Sequence, residues 1–164
     1  MQKIENDIRT KTFEKVYLLF GEEDYLCRYY KKLLKMAIIG NDDEMNFSAF
    51  DNAFDRVTEI IDLADTLPFF AERRLIIVEN SSFFKKESLL ADYIKRIPDT
   101  TTILFVDKDV DKRTKMYKAV KDNGYPCEFK LQDNNYLRQF VAKKVARAGK
   151  IIRESTCEYM VNTV

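Results

Sequence analysis

The feature that most constrains this chain is a repeated alternation of short apolar runs with longer amphipathic stretches. VYLLFG (Val16–Gly21), MNFSAFD (Met45–Asp51), RLIIVEN (Arg74–Asn80), TTILFVD (Thr101–Asp107) and the shorter YPCEFK (Tyr125–Lys130) read as strands. The runs in VYLLFG, RLIIVEN and TTILFVD are continuously apolar, as expected of strands covered on both faces in a parallel sheet. Between them, helical spacing places Leu26, Tyr30, Leu33, Leu34 and Ala37 on one face of Glu23–Ile39. Phe54, Val57, Ile60, Ile61 and Ala64 share a face of Asn52–Leu67. Lys86–Ile97, stopped by Pro98, and Lys112–Gly124, closed by Gly124 as a C-cap, complete the set. Strand–helix alternation of this kind predicts a doubly wound α/β domain.

Beyond residue 133 only helical patterns occur, in YLRQFVAKKVARAG and STCEYMVNTV. The expected division is an α/β domain over 1–133 and the start of a second, helical domain over 134–164. Ser155 and Glu158 have capping-box spacing, and Tyr159, Met160 and Val164 begin an apolar stripe without a stop signal. The helical domain is therefore expected to continue past residue 164.

Composition removes several kinds of chemistry. With 28 Lys+Arg against 27 Asp+Glu, bulk charge does not describe a wholly electrostatic nucleic-acid binder. The chain has 0 histidines, which removes His-based acid–base catalysis, Ser-His and Cys-His pairs, and most zinc sites. Cys27, Cys127 and Cys157 are widely spaced and read as reduced, buried thiols of a cytoplasmic protein. No apolar run reaches membrane-spanning length, and the first residues carry no apolar secretion signal.

In a fold of this order nucleotides bind at the first strand–helix turn. A phosphate loop needs GxxxxGK[ST], because glycines let backbone N–H groups approach phosphate and the lysine neutralises it. Here the turn reads FGEEDYLCR. Gly21 is present, but Glu22, Glu23 and Asp24 stand where the loop would continue. Three carboxylates at a helix N-terminus suit the dipole, satisfy its free N–H groups, and repel a triphosphate. The reading is a degenerate nucleotide site that binds no cofactor. Glu79 and Asp107 end the third and fourth strands. Acids are common there, and both are read as structural rather than as magnesium ligands.

One segment resists a core assignment. In TLPFFAERRLIIVEN, Phe69 and Phe70 are adjacent, and neither helix nor strand places neighbours on one face. Pro68 ends the preceding helix and presets a turn, so the pair is expected at the surface. The alternative is that both rings cover the sheet. Phe83 and Phe84, in SSFFKKES, form a second pair for which helix–sheet packing is expected, with Ser82 as a helix cap. Two basic stripes, Arg28, Lys31, Lys32 and Lys35, and Lys143, Lys144, Arg147, Lys150 and Arg153, read as solvated helix faces.

VYLLFGEEDYL, DTLPFFAERRLIIVEN and TTILFVDKDVDKRTKMYKAVKDNG together resemble the N-terminal part of the delta subunit of bacterial DNA polymerase III. The resemblance runs in order along nearly the whole chain, and the middle stretch is its most specific part. It implies an AAA+-like, P-loop-type doubly wound sheet lacking a functional P-loop, followed by a helical lid and a collar domain. It implies a non-catalytic clamp-loader subunit whose paired apolar residues enter a pocket on the sliding clamp and favour its opening. By match these are Phe69 and Phe70, with Leu67 and Pro68 in the same segment. Clamp-binding peptides often carry a Gln several residues earlier, where this chain has Asp65 and Thr66. The implied partners are the sliding clamp, other clamp-loader subunits and, within the assembled loader, primed DNA. Two other classes stay open on the residues alone: a nucleotide-binding α/β enzyme with a divergent phosphate loop, and a generic α/β protein-interaction module.

Overall fold

A computed structural model describes residues 1–40, 43–130 and 134–163. It divides into two compact units, Met1–Phe129 and Lys130–Val164. The boundary expected at Asp133, like the apolar position Val164, lies outside the described residues.

The first unit contains the expected strands: β1 (Val16–Gly21), β2 (Phe47–Asp51), β3 (Arg74–Glu79), β4 (Thr101–Asp107) and β5 (Tyr125–Phe129). They form one sheet in the order β2-β3-β4-β1-β5, with every pairing parallel. Alternation along each strand loads both faces with apolar side chains. Val16, Leu18, Phe20, Ile76, Val78, Ile103 and Phe105 join one buried cluster. That cluster takes Ile60 and Ala64 from α3 (Val57–Asp65), Leu90 and Tyr93 from α4 (Leu90–Tyr93), and Met116 and Val120 from α5 (Lys115–Asn123). Tyr17, Leu19, Ile77 and Leu104 lie on the other face and are equally buried, as are Leu26, Tyr30 and Leu34 of α2 (Asp24–Ile39).

Several boundaries depart from the sequence expectation. An N-terminal helix, α1 (Gln2–Thr10), was not expected from its polar composition. Its buried anchors are Ile4 and Asp7, and Asp7 accepts a hydrogen bond from the buried Tyr17 hydroxyl at 2.8 Å. The helix expected over Lys86–Ile97 is much shorter: α4 holds one turn and passes into a 3-10 turn at Ile94–Arg96. Ser88 Oγ accepts from the Leu90 N–H at 3.2 Å and sets that late start. Ser82 does not cap with its side chain; it is left-handed (φ +61°), and its carbonyl accepts from Lys85 and Lys86. Asn52, also left-handed at φ +51°, delays the next helix, which enters through a 3-10 turn at Phe54–Arg56.

Gly124 follows α5, but in extended backbone rather than a left-handed cap. Its glycine is required by close approach, since a Cβ there would lie 2.0 Å from the Val16 carbonyl oxygen. The second unit pairs α6 (Asn134–Arg147) with α7 (Glu154–Thr163), joined by an Arg138–Glu158 ion pair at 2.6 Å. Because α7 starts at Glu154, Ser155 lies inside its first turn and is not its N-cap. All three cysteines are free and buried.

Candidate functional site

The segment between α3 and β3 carries the most exposed aromatic surface of the first unit. α3 ends at Asp65 because Thr66 is extended, with its N–H on Leu63 O at 3.2 Å and its hydroxyl on Asp62 O at 2.8 Å. Pro68 then disfavours helical backbone for Leu67. Leu67 is 75 % exposed, Phe69 55 % and Phe70 95 %. The two rings pack edge to face at 4.5 Å, so they form one aromatic tip. Phe70 has φ +49°, a conformation costing a non-glycine residue of order 1–3 kcal/mol.

Such a turn persists only if its surroundings hold it, and here they do. The Phe69 N–H donates to Asn46 Oδ1 at 2.6 Å, and Asn46 Nδ2 donates back to Phe69 O at 2.9 Å. Asn46 is 1 % exposed. Its side chain also donates to Asp43 Oδ2 at 2.8 Å, and its N–H to Asp43 Oδ1 at 3.0 Å. The hydrogen bond from the Asn46 amide holds the Asp43 carboxyl below the ordinary carboxylate range. On the other side, the buried Arg74 donates from Nε to Thr66 O at 3.2 Å, and Thr101 Oγ1 donates to Ala64 O at 2.8 Å. Asp65, the last residue of α3, accepts from the Tyr93 hydroxyl at 2.6 Å. Sequence reading missed Asn46 and Asp43. Asn46 lies inside the run read as a strand from Met45, and its only signal was a polar residue near the start of that run.

Phe83 and Phe84 are fully buried, in contact with Phe105 at ring separations of 6.2 and 5.4 Å. The structure therefore puts the second pair in the core, as expected.

Gly21, Glu22, Glu23 and Asp24 connect β1 to α2. Gly21 has φ +123°, and a Cβ there would lie 2.4 Å from Phe129 O, so only glycine fits. The Glu23 N–H donates to Phe129 O at 3.1 Å and the Asp24 N–H to Glu22 O at 3.2 Å. The expected side-chain capping is corrected for Glu23, the N-cap residue, which makes no side-chain cap hydrogen bond. Asp24 instead faces Lys108 at 3.9 Å. A cleft at the strand ends is lined by Gly21, Asp24, Lys31, Glu79, Asp107 and Lys108. Within it Lys31 binds both Glu79 oxygens, at 2.9 and 3.0 Å. Asp107 accepts from the Ser81 N–H and hydroxyl, both at 2.8 Å, while burial raises its pKa. Among the described residues, no three acid, Cys or His side chains gather as a metal site.

Of the basic stripe on α2, Lys31 is thus engaged with Glu79, and Lys35 lies 3.7 Å from the Phe47 ring centroid. In the second unit Lys143, Lys144, Arg147, Lys150 and Arg153 are all exposed. Among the described residues no helix is long and apolar enough to cross a membrane.

Comparison with known proteins agrees with this architecture. The family DNA polymerase III, delta subunit, matches residues 17–130. The chain is 30 % identical over 159 residues to the DNA polymerase III subunit delta of Bacillus subtilis (strain 168), covering 89 % of this chain and 46 % of that one. The solved Bacillus subtilis DNA clamp loader delta protein superimposes with a TM-score of 0.78 at 26 % identity, over 98 % of this chain and 51 % of that one. A DNA polymerase III gamma subunit-related protein from Thermotoga maritima matches with a TM-score of 0.60 at 14 % identity, over 88 % of this chain and 51 % of its own. The last likeness concerns the fold alone. With an α/β sheet of this order and a family match across it, the chain belongs to the DNA polymerase III delta subunit family, of whose compared members it spans about half the length.

Proposed function

We propose that this chain is the sliding-clamp-binding part of a clamp-loader subunit, and that Leu67, Pro68, Phe69 and Phe70 form the element that enters the clamp. The observation that carries the reading is the exposed Phe69–Phe70 turn, with Phe70 left-handed and both backbone polar groups of Phe69 hydrogen-bonded to Asn46 at its base. An aromatic pair displayed at such conformational cost is better explained by a partner than by packing.

Burying two Phe side chains contributes about 3–6 kcal/mol. A micromolar complex needs about 8 kcal/mol net of association entropy. Leu67 and polar neighbours such as Glu72 and Arg73 must therefore add a rim around the tip. Binding opens the clamp only to the extent that the open ring is bound more tightly than the closed one.

The β1–α2 turn supports a non-catalytic role. Its Glu23 and Asp24 N–H groups already bond to carbonyls, and no lysine stands where a phosphate loop needs one. In this reading ATP hydrolysis belongs to other loader subunits, polymerisation to a separate subunit, and the protein acts in the cytoplasm. The second unit begins a helical lid domain, and primed DNA is met only inside the assembled loader.

Surface plasmon resonance against the sliding clamp of the same organism tests this. The native chain should bind, and a folded variant carrying Leu67→Ala, Phe69→Ala and Phe70→Ala should not. Equal binding by the triple variant would refute the assignment.

A further inference from the structure

The Phe69–Phe70 tip could have been an ordinary solvated loop. Phe69 is half exposed, on a segment at the surface. Instead both its backbone polar groups are taken by one buried side chain. Asn46 spends its amide oxygen on the Phe69 N–H and its two amide hydrogens on Phe69 O and Asp43 Oδ2. Asn46 is itself tied to the sheet, because its carbonyl accepts from the Leu75 N–H at 2.9 Å. A continuous path thus runs from the β3 backbone through Asn46 to the residue next to the left-handed Phe70.

We propose that Asn46, braced by Asp43, is a positioning residue that presets the Phe69–Phe70 turn in its binding conformation before any partner arrives. This rests on the clamp-binding reading above. The physical consequence is direct. Phe70 leaves the left-handed region unless its neighbour is held, and every departure removes a binding-competent molecule. Apparent affinity falls in proportion to the competent fraction.

The test combines NMR hydrogen exchange with clamp affinity for the native chain, Asn46→Ala, Asp43→Ala and Phe70→Ala. In the native chain the Phe69 amide should be protected. In Asn46→Ala it should exchange as an open loop, while the Leu75 amide stays protected, since alanine still supplies the carbonyl it uses. Affinity should then drop about tenfold, which is about 1.4 kcal/mol. Asp43→Ala removes the brace and not the clip, and should cost about threefold. If Asn46→Ala also loses Leu75 protection, the decision passes to Asp43→Ala, whose unchanged affinity would overturn the proposal. An unprotected Phe69 amide in the native chain also overturns it. Binding that is lost in Phe70→Ala but unaltered in a folded Asn46→Ala overturns the clip and leaves the clamp reading standing. Failure of the native chain to bind overturns both.

Discussion

Phe69–Phe70 and Phe83–Phe84 are the same dipeptide, each followed closely by charged residues and each in a turn, yet one faces solvent and the other is fully buried. Both turns use a left-handed residue. In the buried pair it falls on Ser82, small and polar, just before the rings. In the exposed pair it falls on Phe70 itself. Both turns also hang from a carboxylate through an intermediary. Asp107 holds Ser81, whose hydroxyl accepts from the Phe83 N–H at 3.3 Å, and the Phe84 carbonyl accepts from Asp111 N at 3.0 Å. Asp43 holds Asn46, which holds Phe69. The difference teaches that composition does not decide whether an aromatic pair is core or tip. The decision lies in where the anchoring hydrogen bonds aim the backbone.

The largest expected effect breaks the buried pair. Phe84→Ala should lower stability by about 3–5 kcal/mol in urea unfolding, the cost of emptying a large core site. Phe70→Ala should change stability by less than about 0.5 kcal/mol. Comparable losses at both positions would erase the distinction. Next in size, Phe70→Ala should weaken clamp binding by about 2 kcal/mol or more, roughly 30-fold, in isothermal titration.

Phe70→Gly sharpens the contrast further. Glycine enters the left-handed region without a Cβ penalty, so this variant should be more stable than native by about 1 kcal/mol while binding as poorly as Phe70→Ala. No stabilisation would mean that the turn stores no strain.

The smallest effect concerns the two anchoring carboxylates, which shift in opposite directions. Hydrogen bonding from Asn46 lowers the Asp43 pKa, so its contribution is present at neutral pH and lost only as pH falls through a value below the ordinary range. Burial raises the Asp107 pKa, so its contribution is fully present in acid and declines as pH rises through the raised value. Carboxyl carbon NMR titration should find the two midpoints on opposite sides of an ordinary aspartate.

Much of the fold is legible in the sequence because a covered parallel strand must be apolar on both faces. Leu75, Ile76, Ile77 and Val78 can hardly belong to anything else. The surface fate of Phe69–Phe70 is legible through Pro68, which disfavours helical backbone at Leu67 and presets a turn. What escapes are features settled by tertiary hydrogen bonds. The helix α1 shows little apolar signal because a buried Asp7, satisfied by Tyr17, does part of the anchoring. The late start of α4 depends on Ser88, and Lys86 and Glu87 are good helix formers that mislead. Asn46 is ordinary in sequence. Its role exists only because the chain brings it beside Phe69.

The most direct single measurement is photo-crosslinking with benzoylphenylalanine at position 70, in the folded chain mixed with the sliding clamp. The expected result is an efficient crosslink to one clamp peptide, suppressed by excess native chain. A stable complex that forms with no crosslink from position 70 would contradict it.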